Sequence, residues 1–195
     1  MRIAFKEWAV VVDALGRGDQ IIILRKGGIG EGRSGFQIEH NRFLLFPTLF
    51  HQQRDAVIPT AQARYDALAP MLSPNVVRLE SFAEVVDWKL LDSRDTALRL
   101  RGQHIWRDDV IRERFDWGKS KNIYAVAVRM FRLPLPVELP MRTEYGGCKS
   151  WVELEVPVSV EGAQPVLTER EFAEKLARFH AAIEGSQTLS PAPVR

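Results

Sequence analysis

The sequence predicts an α+β fold: a curved, mostly antiparallel sheet or partial barrel with a few packed helices and a C-terminal amphipathic helix. Three observations predict it. Apolar runs at 20–24, 43–46 and 123–133 have the length and composition of buried strands. Alternation of apolar and polar residues at 76–91 and 151–158 has the two-residue period of half-buried strands. Phe172, Leu176, Phe179 and Ile183 fall at helical spacing behind Thr168 and Glu171, a reciprocal pair that caps a helix start.

In chain order, residues 8–12 and 20–24 read as two strands of a hairpin. The loop between them carries Asp13, Gly16, Gly18 and Asp19. The glycine-rich stretch 29–35 reads as a mobile loop and 36–39 as a half-buried strand. Pro47 closes the apolar run 43–46, so the first fifty residues read as a small antiparallel sheet. Pro59 and Thr60 open a helix, with Thr60 as its cap and Ala61, Tyr65, Leu68 and Leu72 on one side. Pro70 and Pro74 limit its length.

On the strand 76–91, Val86, Trp88 and Leu90 share one face, with Asp87 and Lys89 on the outer, charged one. Short helices are expected at 93–100 and 108–115, around Gly102. The run 123–133 is apolar on both faces apart from Arg129 and Arg132, as a central strand is. In 133–140, Pro134, Pro136 and Pro140 remove ladder donors, so that segment reads as an extended connector. Gly185 ends the last helix. One globular domain is therefore expected over 1–185, followed by a disordered tail at 186–195.

Composition excludes several classes of function. A net charge of +2 is too small to draw nucleic acid or a membrane by bulk electrostatics. No apolar run approaches the roughly 18–20 residues that span a bilayer, so no membrane partner is expected. Lys6 and Glu7 precede any apolar stretch, which does not read as a secretory signal. The lone Cys148 rules out an intrachain disulfide and suits a reducing cytoplasm, the expected location. Four scattered histidines give no metal-ligand spacing, so neither metal nor cofactor is expected.

The candidate binding residues are Arg25, Lys26, Gly27 and Gly28, joined by His51, Gln52, Trp106 and Arg114. A glycine pair lets a ligand approach the backbone, and amides beside two cations form an anion-binding concavity. His51 and Gln52 follow a strand end, where sites are built. Trp106 could stack a base while Arg114 holds a phosphate; its packing alternative is contact with Val110, four residues on. A second glycine pair, Gly146 and Gly147, precedes Cys148 and Lys149, the latter placed to lower a thiol pKa. These residues suit a module that binds a phosphate-bearing ligand, nucleic acid above all.

Two other readings stay open. One is a hydrolase of nucleotides or nucleic acid. Asp87 and Lys89 share a strand face, as the acid and lysine of many nucleases do. The order of hairpin, Arg-Lys-Gly-Gly, loop and apolar strand also resembles the start of the Nudix hydrolases. Those enzymes need a helix dense in glutamates to hold magnesium, and the helix here offers Tyr65 and Asp66 without a glutamate. The other reading is a structural subunit whose glycine turns contact a partner protein.

Leu24-Arg25-Lys26-Gly27-Gly28-Ile29, the run from Phe43 to Thr48 with His51 and Gln52, His104-Ile105-Trp106, Arg114-Phe115 and 147–154 occur here in combination. That combination resembles a bacterial family catalogued as a domain of unknown function, number 1802, from about Lys6 to Val156. The resemblance implies no assigned activity and no established site residues. It does imply a link to restriction-type DNA-processing systems, through associated domains.

Overall fold

The computed structural model describes residues 1–26, 40–50 and 53–184. The chain runs β1 (Ile3–Trp8), α1 (Ala9–Gly16), β2 (Ile22–Arg25), β3 (Arg42–Thr48), α2 (Pro59–Leu68), β4 (Val76–Leu91) and α3 (Arg94–Arg99). It continues through α4 (Asp108–Asp116), β5 (Ile123–Pro140), β6 (Trp151–Glu153), β7 (Gln164–Pro165) and α5 (Glu169–Glu184). The strands form one sheet in the order β2-β5-β4-β3-β1-β6, with β7 paired to β5 off that path. β1 and β3 are parallel, and the other ladders are antiparallel. This is the expected α+β class: a curled mixed sheet that forms a half-barrel, with helices packed on it.

The sheet separates two apolar clusters, because alternate side chains leave a strand on opposite faces. Phe43 and Leu45 enter the larger cluster with Val11, Leu15, Trp106 and Phe179. Leu44 and Phe46 enter the smaller one with Leu79, Tyr145 and Leu154.

Four sequence expectations change. The hairpin is absent: residues 9–16 form α1, which follows β1 without a loop. Val10, Val11, Ala14 and Leu15 lie on the buried face of that helix, so packing against the sheet overrides the β-preference of its valines. The parallel β1–β3 pair then needs a crossover, and α1 and β2 lie within it. Second, β5 continues through the prolines. Its register jumps from Arg132↔Ser81 to Val137↔Leu79, so Pro134 and Pro136 fall in a bulge opposite Glu80 and no ladder donor is missed.

Third, a bulge at Val86 of β4 turns Val86, Trp88 and Leu90 outward, 45%, 50% and 37% exposed. Asp87 instead meets His180 of α5, with Oδ2 2.8 Å from Nε2. Fourth, Ile58 rather than Thr60 precedes the first turn of α2, with Pro59 at its first position, and Leu72 lies beyond its end. Beyond these changes, the pairing expected over 151–158 is confined to Trp151–Glu153. The strand expected at 36–39 and the tail 186–195 lie outside the described residues. Among the described residues, no helix is long and apolar enough to cross a membrane.

Candidate functional site

The half-barrel nearly closes on itself. β2 and β6 stand at opposite ends of the strand order, yet the Arg25 guanidinium donates to the hydroxyl of Ser150, the residue before β6. Where those ends meet, β1 passes directly into α1 and delivers Glu7 and Trp8 side by side. Glu7 is 1% exposed. Its Oε1 accepts the Trp8 backbone N–H at 2.7 Å, and its Oε2 lies 3.7 Å from Nη1 of Arg25. Among the described residues that second oxygen has no hydrogen-bond donor. Arg25 also lies 4.9 Å over the Phe5 ring.

α4 brings Arg114 to the same place. Its guanidinium sits 4.5 Å over Trp8 and 5.3 Å from Trp106, a position that the negative faces of indole rings favour. Nη1 donates to the Leu24 carbonyl at 3.2 Å. Burial pulls the Arg114 pKa down to about 10, against the attraction of Glu7 and with the repulsion of Arg25. Arg114 remains a cation at neutral pH, held where charge is costly.

Trp8, Phe50, Gln53, Val110, Glu113 and Arg114 line an open hollow of about 440 Å³. Phe50 stands at its rim, 62% exposed. The Phe50 carbonyl is fixed from inside, accepting from Tyr65 Oη and the Gln53 backbone N–H, both at 3.0 Å.

The expected site residues divide. Arg25 and Arg114 come together through Glu7 and Trp8. Lys26 does not join them: its ammonium donates to the carbonyls of Phe115, at 3.2 Å, and Asn122, at 2.8 Å, and to that of Ser120. It secures the C-terminal end of α4, and burial with repulsion from Lys121 lowers its pKa. Trp106 is 1% exposed and packs in the core, so its ring supports Arg114 instead of offering a stacking face to solvent. Gly27, Gly28, His51 and Gln52 lie outside the described residues.

Elsewhere, Cys148 is exposed, and the carbonyl of Gly147 accepts from Lys6 Nζ at 3.1 Å. Asp87 is engaged by His180. Among the described residues, no group of three or more His, Cys, Asp and Glu is placed to hold a metal ion. Sequence reasoning missed Glu7, Trp8 and Gln53. An acid and a tryptophan ending a short strand were a usable signal, but assigning residues 8–12 to a strand concealed it.

A larger hollow, about 520 Å³, opens between α1, α2 and the β4–β5 arm. It is rich in arginine, and each arginine there is engaged within the chain. Arg64 pairs with Asp13 at 2.5 Å, Arg17 with Asp13 at 3.1 Å and Arg78 with Glu80 at 2.6 Å. Arg132 gives a hydrogen bond to the Gly16 carbonyl at 2.8 Å.

Comparison with known proteins gives a family. A family model described as "Domain of unknown function (DUF1802)" matches residues 4–178. No curated protein matches the chain. Among solved structures, the crystal structure of ASCH from Zymomonas mobilis has 13% identity and a TM-score of 0.44, covering 90% of this chain and 92% of that one. Two mutant forms of that protein match over 90% of this chain at 12% and 14% identity, with TM-scores of 0.44 and 0.43 and 93% and 95% of their own chains covered.

Proposed function

This chain belongs to the DUF1802 family, and we propose that it binds a phosphate-bearing ligand, nucleic acid above all, at the mouth of its half-barrel. One observation carries the reading: Arg114, half-buried against two indole rings, is a cation with a single hydrogen bond among the described residues, on the wall of an open hollow. A guanidinium carries five N–H donors. The single hydrogen bond found for Arg114 among the described residues goes to the Leu24 carbonyl. The flanking indoles and Glu7 offset part of the desolvation cost, and a ligand oxygen facing the hollow would offset more.

Arg25 adds a second charge close behind. Phe50 and Trp8 supply aromatic surface on which a base can stack. The net charge of +2 makes attraction local to this cleft, so a small number of phosphates would be engaged.

Fluorescence anisotropy with short labelled single-stranded DNA and RNA tests the reading. Affinity should fall with rising salt, with a log–log slope of about −0.7 for each phosphate neutralised. Arg114→Met keeps the stem between the two indoles and removes the charge; it should weaken binding about tenfold or more. Binding indifferent to salt, or an Arg114→Met protein that binds as well as the parent, would refute it.

A further inference from the structure

Gln53 is the second mismatched group in the hollow. Its residue is 2% exposed, and neither Nε2 nor Oε1 has a hydrogen-bond partner among the described residues. A buried primary amide normally satisfies both ends. This one lines the hollow together with Phe50 and Arg114, and its backbone N–H, bonded to the Phe50 carbonyl at 3.0 Å, ties it to the aromatic rim. Phe50, Gln53 and Arg114 thus border one hollow: a flat apolar ring at its rim, a cation on its wall, and an amide with both ends unmet just beneath its surface.

Each component selects a different part of a ligand. The cation suits a phosphate, which offers only acceptors and cannot satisfy the amide oxygen. A ring stacks on another ring. An adjacent donor and acceptor match the complementary pair on the Watson–Crick edge of a nucleobase, and an amide can meet that pair with two parallel hydrogen bonds. In a duplex that edge is already paired.

We infer that Gln53 reads the edge of one unpaired nucleobase, stacked at Phe50 with its phosphate toward Arg114. The ligand is therefore a single-stranded nucleic acid or a free nucleotide, not a duplex. This inference rests on the reading of the site as a phosphate-ligand cleft and narrows it.

The test titrates the full chain against a labelled single strand, the same strand with abasic positions, and its duplex, with nucleoside monophosphates as competitors. The parent should prefer the single strand over both others by about tenfold. Gln53→Leu should reduce the preference over the abasic strand to what stacking at Phe50 supplies, leave abasic-strand affinity unchanged and raise the melting temperature, since it removes two unmet polar atoms. Gln53→Glu, which keeps only acceptors, should shift preference toward bases bearing an amino group.

Competition by a monophosphate alone identifies a free nucleotide as ligand, and competition only by strands identifies a nucleic acid. If Gln53→Leu keeps the preference while Arg114→Met weakens every ligand, the amide does not read the base and the phosphate cleft stands. If the parent binds neither strands nor monophosphates, both ideas fall.

Discussion

His104 shows how strongly this region penalises polar groups left in the core. It is 6% exposed, its ring centroid is 5.6 Å from that of Trp106, and its Nδ1 has no partner among the described residues. Burial lowers its pKa from 6.5 to about 4, against the opposing pull of Asp108. The sign follows from linkage. Between those two values the unfolded chain binds the proton and the folded one does not, so stability falls as pH drops from 6.5 toward 4. The contribution is roughly 3 kcal/mol at about 1.4 kcal/mol per pKa unit. Urea unfolding at a series of pH values should show that loss, and His104→Gln should shrink it. Equal acid sensitivity in the two proteins would rule out His104 as its source.

Single residues were partly legible in the sequence. Arg25 and Arg114 stood out as cations beside apolar runs, and both lie near Glu7 at the proposed cleft. Glu7 and Gln53 did not stand out, because what distinguishes them is burial with a polar atom lacking a hydrogen bond among the described residues, and a linear sequence carries no record of that. Lys26 and Trp106 are placed by contacts that the sequence does not display: the carbonyls of Phe115 and Asn122 engage Lys26 from far along the chain, and Trp106 is 1% exposed in the core.

At the scale of elements, α1 depends on how it stops. The Gly18 N–H donates to the Leu15 carbonyl at 3.0 Å and the Asp19 N–H to the Ala14 carbonyl at 2.9 Å, a paired closure that requires a left-handed residue at position 18. Gly18 has φ 74°, and a Cβ there would lie 2.5 Å from Leu167 Cδ2. Gly18→Ala should therefore cost about 1–3 kcal/mol in chemical denaturation, through backbone strain and the displaced leucine. A neutral substitution would mean that α1 ends differently. α5 was the most legible element, since its capping pair and apolar spacing are local: the Thr168 N–H donates to Glu171 Oε2 at 3.0 Å. The β4 and β5 bulges were not legible, because a bulge is fixed by register against a neighbouring strand. One such slip reversed the faces of Val86, Trp88 and Leu90.

For the whole molecule, the α+β class and the curved sheet followed from composition and period, whereas the curl that brings Arg25 to Ser150 did not. That curl sets the two arginine-bearing hollows apart. In the hollow beside α1, Arg17, Arg64 and Arg78 are held by carboxylates and Arg132 by the Gly16 carbonyl. At the mouth, Glu7 faces both Arg25 and Arg114. Function is accordingly expected where the ends of the sheet meet. Titration of the ¹⁵N-labelled chain with a short single-stranded oligonucleotide, followed by two-dimensional NMR, tests that location most directly. The side-chain resonances of Trp8, Gln53 and Arg114 should shift together and saturate at one concentration, while amides around Arg64 and Ser81 in the other hollow stay still. Shifts confined to the Arg64 and Ser81 region, with Trp8 and Gln53 unmoved, would contradict the account.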